Sequence, residues 1–183
     1  MKLSDNIESV ILNSIENYDQ TYNLGNPFEE LLSMGELVDR LAIVNHKHEL
    51  LLIDVKKDSI KSIDISTNHF MQCNWSPDGK FIAYTCSKSN RVSIIKIYDL
   101  KKNKKHEITD AVNSDFSPVF DNSGKYLAFT SKRTFNPVYD SIQFDLNFTQ
   151  SEKPYIITLD KNTKSPFVKL PKDEDPNDKK KKK

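Results

Sequence analysis

Few residues of this chain have the types and spacing that a metal or cofactor site requires. The four histidines, His46, His48, His69 and His106, lie beside strand-like runs in polar surroundings, as surface or turn histidines do. His46 and His48 share one face of an extended strand, but no second His or Cys pair accompanies them. The acidic run at 173–178 lacks the glycine and the terminal glutamate of a calcium loop. We therefore predict no metal ligand and no cofactor.

The motifs of covalent catalysis are also missing. A serine hydrolase needs a nucleophilic serine on a sharp elbow, a histidine base and an orienting acid, and no G-x-S-x-G motif occurs. Cys73 and Cys86 lie among apolar strand residues, with neither the number nor the spacing of a disulfide framework or a zinc site. We assign no catalytic residue, and we predict that both cysteines are buried free thiols.

The composition is that of one ordinary folded domain. The chain has 183 residues, a formal net charge of +1, 29% charged and 37% hydrophobic residues. No window reaches the roughly 18 consecutive apolar residues of a spanning helix, and residues 1–14 lack the basic start and apolar stretch of a signal peptide. The lysines near the C-terminus are mixed with acids, which is typical of a solvated linker. We predict a cytoplasmic protein that binds neither membrane nor nucleic acid.

The chain divides into three regions by pattern. Residues 1–37 carry apolar residues at near-helical spacing in IESVILNSIENY and FEELLSM, which fits short helices or a poorly ordered arm. Residues 38–170 alternate turn residues with short β-like runs, among them LAIVN, ELLLIDV, FMQCNW, KFIAYTC, VSIIKIYDL, HEITD, SPVF, YLAFTSK, PYIITLD and FVKL. Residues 171–183 form a charged, Lys-rich tail. The expected domains are thus an uncertain N-terminal arm, a β domain and a tail.

The β runs repeat at a fixed interval. WSPDGKFIAY and FDNSGKYLAF superpose with an offset of 45 residues, which pairs Gly79 with Gly124 and Ala83 with Ala128. A period near 45 residues with about four strands in each unit is typical of a β-propeller blade. In each SPDG-like turn the glycine accepts a left-handed conformation, so that two strands fold back on each other. We predict an all-β fold of two to three four-stranded antiparallel blades, which form an incomplete ring.

The third unit contains an insertion. Asp160 follows Asp99 by 61 residues instead of 45, so about 16 extra residues lie between YLAFTSK and PYIITLD. The inserted segment is too rich in aromatic residues for a simple solvated loop. We predict a structured projection that docks on a neighbouring domain, in which Asp140 accepts hydrogen bonds from backbone or from Arg133; a plug packed on its own blade and direct peptide contact are the alternatives. The predicted interaction residues are Phe135, Asn136, Pro137, Tyr139 and Asp140.

Several of these segments together resemble one family. NHKHELLLIDV, NWSPDGKFIAYTCSKSNRVSIIKIYDL, FNPVYDSIQFDLNF and PYIITLD look like the end of the second, seven-bladed propeller of tricorn-type proteases. WSPDGK alone is shared with many TolB-like propellers, whereas FNPVYDSIQFDLNF followed by PYIITLD and SPF is far more specific. Members of this family are large cytosolic serine peptidases that form homo-oligomers and need no metal cofactor. No position here matches the family's catalytic motifs, so the resemblance implies no catalytic residue in this chain.

The resemblance also implies a role and partners. It predicts a non-catalytic propeller portion that admits, filters and guides oligopeptides towards a chamber built by other domains. Its partners would be the remaining blades and the peptidase core domains, with the core following the Lys-rich linker. Two alternatives stay open: a stand-alone propeller that acts as an interaction scaffold, and a TolB-like envelope component, which would need export.

Overall fold

The computed structural model describes residues 7, 9, 39–45, 47–67, 72–89, 92–140, 145–148 and 151–168. Within them the chain forms antiparallel β-sheets. The strands are β1 Arg40–Val44, β2 Glu49–Asp54, β3 Ser59–Ile65, β4 Cys73–Trp75, β5 Phe81–Ser89, β6 Val92–Asp99, β7 Lys104–Glu107, β8 Ser114–Phe120, β9 Tyr126–Lys132, β10 Val138–Asp140, β11 Asp145–Asn147 and β12 Glu152–Thr158. In the described part no helix is both long and apolar enough to cross a membrane.

The three larger sheets are complete or partial propeller blades in consecutive order along the chain. The second sheet is a full four-stranded blade with the strand order β4-β5-β6-β7. The first sheet, β1-β2-β3, and the third, β8-β9-β12, have three strands each. The 45-residue repeat relates β2 and β3 to β6 and β7, so the first sheet corresponds to the outer part of a blade. The same repeat relates β8 and β9 to β4 and β5, so the third sheet corresponds to the inner part of a blade. For the residues that the structure describes, the predicted all-β architecture with an incomplete ring is confirmed.

The predicted tight turns form at both repeat positions. Gly79 and Gly124 have left-handed φ angles of 65° and 67°, a region that glycine enters without steric cost. Each turn is then closed by the residue that starts it. The Ser76 hydroxyl accepts a hydrogen bond from the backbone N–H of Phe81 at 2.9 Å, and the Asp121 carboxylate accepts one from the N–H of Tyr126 at 2.8 Å. Ser76 in one blade and Asp121 in the next therefore accept equivalent hydrogen bonds.

The core consists of apolar layers between neighbouring sheets. The layer between the first and second sheets contains Leu50, Ile63, Ile82, Tyr84, Cys86, Ile94 and Tyr98. The layer between the second and third sheets contains Ala83, Ile95, Ile97, Phe120, Leu127 and Phe129. Ala83 is buried where the third sheet approaches, as close packing of sheets requires a small side chain there. Burial of these faces supplies most of the stabilisation of a blade stack.

The strand boundaries differ from the predictions in the outer strands. The last strand of the second blade is Lys104–Glu107 and not HEITD, because the register with β6 pairs Lys104 with Asp99. The strand predicted at FVKL is not formed at Phe167 and Val168, which are exposed and lie outside any strand; residues 169–170 are outside the described part.

Two further predictions concern the cysteines and the N-terminal arm. Both cysteines are free, with Cys86 buried and Cys73 half-buried. Of the predicted arm at 1–37 the structure describes Ile7 and Ser9, which are helical. Ile7 is buried against Ile53 and Val55, on the face of the first sheet that points away from the second. The tail at 171–183 lies outside the described residues.

Candidate functional site

The insertion between β9 and β12 forms a β-hairpin that extends from the end of the third sheet. Asn136-Pro137 leads into it, since a residue before proline favours an extended conformation. Strands β10 and β11 pair in antiparallel register, with Val138 opposite Asn147, Tyr139 opposite Leu146 and Asp140 opposite Asp145. The insertion in the third unit therefore forms regular β structure at β10 and β11.

The aromatic side chains that the structure describes in this hairpin region face solvent. Phe135 is 79% exposed and Tyr139 is 62% exposed, and Val138 and Phe148 are also exposed. The rings of Phe135 and Phe148 contact each other across the hairpin base, with centroids 5.3 Å apart. A plug buried in its own blade would hide these rings. The exposed set formed by Phe135, Val138, Tyr139 and Phe148 is called the hairpin surface below.

Four of the five predicted interaction residues lie on the exposed part of the insertion. Phe135, Asn136, Pro137 and Tyr139 are exposed. The fifth, Asp140, ends β10, and its side chain lies outside what the structure describes. The docking role of these five residues stays a prediction, as does the hydrogen bond from Arg133 to Asp140.

A buried polar cluster lies under the start of the insertion. Asp115 and Ser131 are completely buried, on β8 and β9, and the Ser131 hydroxyl forms a short hydrogen bond with the Asp115 carboxylate. Arg133 donates from Nε to the Ser131 hydroxyl at 2.8 Å and from Nη2 to the Asp115 carboxylate at 3.2 Å. Its guanidinium also lies 4.7 Å from the ring centroid of Tyr155. Arg133, which leads into the insertion, is thus held in place by Ser131, Asp115 and Tyr155.

This cluster is not a nucleophilic site. The arginine occupies the place where a catalytic serine would need its base, and a guanidinium stays protonated and cannot accept the hydroxyl proton. Ser131 is also out of reach of any substrate because it is fully buried. Of the described histidines, His106 is exposed on β7, and His48 lies in the turn before β2 with a left-handed φ of 58°. The cluster therefore serves to anchor the insertion.

The sequence analysis missed Asp115, Ser131 and Arg133 as a unit. One signal was available, because Leu127, Phe129 and Ser131 alternate along β9 and so share the buried face of that strand. A serine at such a position needs a hydrogen-bond partner. No pattern in the sequence identifies Asp115 as that partner, since β8 is paired irregularly between Phe116 and Val119.

A second polar cluster joins the first sheet to the second. Asp64 of β3 is buried and accepts three hydrogen bonds of 2.9 Å, one from each of three strands of the next blade. The donors are Tyr84 Oη, Lys96 Nζ and Lys105 Nζ. Lys96 also lies 4.0 Å from Glu107, which pairs with Lys88 at 2.6 Å. One carboxylate therefore links the two blades through β5, β6 and β7.

The charges in this cluster stabilise one another. Burial alone raises the pKa of Asp64, but the hydrogen bonds from Lys105, Lys96 and Tyr84 outweigh it and hold the pKa below its usual value. Burial lowers the pKa of Lys96, and the hydrogen bond to Asp64 more than reverses this, so the ammonium stays charged. Burial, and then the charge of Asp64, raise the pKa of Tyr84, which remains a donor. The cluster is a fixed ionic contact, with no group prepared for proton transfer near neutral pH.

Side-chain hydrogen bonds also join the second sheet to the third; the contact between two neighbouring sheets is called a seam below. The Ser93 hydroxyl donates to the Asp115 carbonyl at 2.9 Å, and the Asn74 side chain accepts from the N–H of Phe120 at 2.9 Å. Ser117 donates to the Gln72 side chain at 2.7 Å. The last two contacts connect β8 directly with β4 and the residue before it, so the first strands of the two blades lie side by side.

Each seam ends in an open cavity near the Ser76-Pro77 turn. The cavity between the first two sheets measures about 570 Å³ and is lined by Asp39, Arg40, Asp54, Lys56, Lys57, Trp75, Ser76, Pro77 and Gly79. Each of its three cations lies near a carboxylate, since Arg40 and Lys57 lie 3.5 Å and 3.6 Å from Asp54 and Lys56 lies 2.7 Å from Asp39. The cavity between the second and third sheets measures about 360 Å³ and includes Phe81, Ile97, His106, Phe120 and Leu159.

Reactive groups are scarce elsewhere in the described part. No group of three or more His, Cys, Asp or Glu side chains there is placed to hold a metal ion. Burial raises the pKa of the Cys73 thiol, so this cysteine stays protonated and is a poor nucleophile. The features that remain for a function are the blade seams, the first strands of the blades and the hairpin surface.

Comparison with known proteins agrees with this geometry. The family model described as the tricorn protease second β-propeller domain matches residues 7–183. Tricorn protease homolog 1 of Streptomyces coelicolor is 33% identical over 129 residues, 70% of this chain and 12% of that relative. Tricorn protease of Thermoplasma volcanium is 31% identical over 143 residues, 74% of this chain and 14% of that relative.

A solved structure supports the same fold. The crystal structure of the tricorn protease superposes with a TM-score of 0.64 at 23% identity, over 70% of this chain and 13% of that one. The chain thus spans a small part of the length of its relatives. The match of the family model nonetheless extends over nearly all of it. The chain belongs to the family of tricorn protease second β-propeller domains.

Proposed function

We propose that this propeller portion guides or filters oligopeptides towards the peptidase chamber of a tricorn-type serine protease in the cytoplasm. The observation that carries the proposal is the polar, uncharged junction between the first strands of adjacent blades. Gln72, Asn74 and Ser117 meet there, and the contact between Ser117 and Gln72 is exposed. Neutral amides and hydroxyls bind peptide backbone weakly without selecting one side-chain charge, which suits a passage for varied peptides.

A strained residue at the same place supports this role. Ser117 has a left-handed φ of 54° directly before Pro118, where an extended conformation is preferred. The pairing of β8 with β9 is interrupted at this point. Strained backbone tends to be kept where it has a function. The bulge leaves Ser117 and Pro118 without partner residues on β9, and we propose that a passing peptide contacts the chain there.

The guiding role is tested in the protease that contains this propeller, whether as one polypeptide or with the propeller as a subunit. Gln72→Trp narrows the junction, and we expect hydrolysis of long oligopeptides to fall several-fold while a fluorogenic tripeptide is cleaved at the original rate. Asn122→Trp, at an exposed turn of the adjacent blade between β8 and β9, is the matched control. An equal change for long and short substrates refutes the guiding role.

A simpler experiment tests the absence of catalysis. Purified residues 1–183 are expected to hydrolyse neither peptides nor esters, because no set of nucleophile, base and oxyanion donors occurs among the described side chains. Turnover that copurifies with the chain, and that disappears when one of its serines is mutated, would overturn this. If the genome of the source organism encodes no peptidase core for this propeller, the scaffold function becomes the better explanation.

We further propose that Phe135, Asn136, Pro137, Tyr139 and Asp140 dock on a neighbouring domain of the same protease. The exposed rings and the anchored Arg133 support this, since a rigidly held apolar projection loses little entropy on binding. Tyr139→Ala and Phe135→Ala should weaken assembly while residues 1–183 stay folded.

The control for this docking experiment is Val112→Ala. Val112 is 79% exposed, like Phe135, but lies between β7 and β8, away from the insertion. Unfolding of the isolated chain with Tyr139→Ala would show that the hairpin residues act on folding and not on docking. Loss of assembly with Val112→Ala would show that the effect on assembly is not specific to the hairpin residues.

A further inference from the structure

The cavity between the second and third sheets, called the apolar cavity below, has hydrophobic walls on both sides. Phe81, Ile97 and Ile108 belong to the second sheet and the residue after it, and Phe120 and Leu159 belong to the third sheet and the residue after it. The volume of about 360 Å³ is within the range of pockets that bind small ligands. Leu159 is 36% exposed, so the apolar wall reaches the surface of the molecule.

The apolar cavity lies on the course of the proposed peptide passage. Ser117 of the junction and Phe120 of the cavity are three residues apart on β8, at most about 10 Å along a strand. Asn74 accepts a hydrogen bond from the N–H of Phe120 at 2.9 Å, and Ser76, two residues after Asn74, lines the cavity. An extended peptide that contacts Ser117 would therefore bring a side chain to the cavity about three residues further on.

Lysines border the mouth of the apolar cavity. Lys125 adjoins it, because its carbonyl oxygen accepts a hydrogen bond from the N–H of Leu159 at 2.8 Å. Lys161 follows Leu159 by two residues. Lys104 lies two residues before His106, which lines the cavity, so both share one face of β7. Within the ranges that the structure describes, none of these three lysines forms an ion pair.

The acids near the apolar cavity already have other donors. Asp78, the carboxylate in its lining, lies 3.0 Å from the ammonium of Lys80 and accepts from the Ser76 hydroxyl at 2.7 Å. Asp121 and Asp160 accept hydrogen bonds from backbone N–H groups of their own turns. The cavity between the first two sheets differs, because each of its three cations lies near a carboxylate. The apolar cavity thus combines a hydrophobic wall with cations that a ligand can pair.

We infer that the apolar cavity holds a hydrophobic side chain of the passing oligopeptide, and that the lysines at its mouth favour peptides in which acidic residues flank that side chain. This inference rests on the guiding role proposed above and adds the class of peptide. A peptide with basic flanks is a poor ligand, because it would bring more ammonium groups to the lysines. A loop of a neighbouring domain and a second copy of this chain are the other occupants that the experiment distinguishes.

Peptide binding is measured in the protease that contains this propeller, with its active-site serine blocked by phenylmethylsulfonyl fluoride so that the peptides stay intact. Dye-labelled, C-terminally amidated peptides of equal length are compared by fluorescence anisotropy at low salt. One has a leucine flanked by glutamates, the second a leucine flanked by lysines, and the third a serine flanked by glutamates. We expect the first to bind about tenfold more tightly than either of the others. Equal affinities overturn the inference.

Two variants assign this binding to the apolar cavity. Leu159→Asp puts a charge at the mouth of the apolar wall and should weaken binding of the leucine-glutamate peptide about tenfold. Lys125→Glu, on an exposed turn, should weaken it about threefold, and this difference should disappear near 1 M salt, where charges are screened within about 3 Å. Lys153→Glu is the matched control, because Lys153 is exposed and lies at the other end of the third sheet, opposite Ser131. Circular dichroism checks that each variant is folded.

The two proposals fail in different ways. If Gln72→Trp changes the hydrolysis of long and short substrates equally, the guiding role itself is wrong. If it slows only the long substrates, but Leu159→Asp and Lys125→Glu bind the peptide as the wild type does, guiding stands and the selection of apolar-acidic peptides is wrong. Variants that release a neighbouring domain or a second copy on size-exclusion chromatography, with unchanged peptide affinity, would show that the cavity is a domain or subunit contact, which also overturns the inference.

Discussion

Replacing Asp64 with asparagine should loosen the seam between the first two blades. The substitution keeps the shape of the side chain and removes its charge. It leaves Lys96, which is 12% exposed, without the carboxylate that lies 2.9 Å from its ammonium. The remaining acid, Glu107, is 4.0 Å away and half exposed, so it compensates poorly. The asparagine also cannot accept from all three donors, since one of its two terminal atoms is itself a donor.

The size of the effect follows from these contacts. A hydrogen bond to a charged group contributes about 1.5 to 3 kcal/mol, and removing one member of a buried ion pair costs about 3 to 5 kcal/mol. The contact of Lys105 counts for less because this lysine is half exposed and solvated. We therefore expect the free energy of unfolding to fall by about 3 kcal/mol.

Urea unfolding at pH 7 measures this change, with Trp75 as the reporter. Trp75 is the single tryptophan and packs against the apolar layer between the two sheets. With a urea dependence of about 2 kcal/mol per molar, the midpoint should move by about 1.5 M. Glu152→Gln is the control, because it removes an exposed ion pair to Lys132 and should cost less than about 1 kcal/mol.

The pH dependence gives an independent check. Because the pKa of Asp64 is lowered in the folded state, its stabilisation is fully present above the unfolded-state pKa of about 3.9 and is lost as the pH falls through the folded-state pKa. The stability difference between wild type and Asp64→Asn should thus be constant near neutrality and shrink below about pH 4. A loss smaller than about 1 kcal/mol at pH 7, or a difference that grows on acidification, would refute the reasoning.

Three further substitutions test other contacts by the same urea assay. Tyr84→Phe removes one buried donor to Asp64 and should cost about 1.5 to 2 kcal/mol, and in a double-mutant cycle with Asp64→Asn the two losses should not add. Arg133→Met leaves the buried carboxylate of Asp115 without its cation and should cost about 3 kcal/mol; a loss below about 1 kcal/mol would contradict the anchoring role. Gly79→Ala meets no atom within 4 Å, so only the left-handed φ opposes it, and we expect a loss of about 1 kcal/mol.

The blades were predictable because the same chemistry occurs twice at a fixed interval. Gly79 and Gly124 end equivalent turns, and the alternation along β5 and β9 determines which residues face the core. Strand identity then follows from two local signals, turn residues and a period of two. The outer strand Lys104–Glu107 was displaced from its prediction because all four of its residues are exposed, so it carries no apolar signal.

The polar clusters and the hairpin lay beyond sequence reasoning for different reasons. The donors to Asp64 are 20, 32 and 41 residues away along the chain, and only the packing of two sheets brings them to one carboxylate. The hairpin strands β10 and β11 have three residues each, too few to show alternation. Their aromatic residues indicated structure but not a hairpin.

The burial of Ile7 gives the stack of blades two unlike ends. The face of the first sheet that points away from the second is covered by this residue, whereas Val119 and Ala128 leave the far face of the third sheet exposed. Two copies stacked head to tail would have to join these two faces. Repeated contacts of that kind produce open filaments when the rotation between successive copies does not close into a ring. Because Ile7 packs against Ile53 and Val55, the face of the first sheet that such a contact would need is already partly covered, so the two outer faces of the described blades are not equivalent.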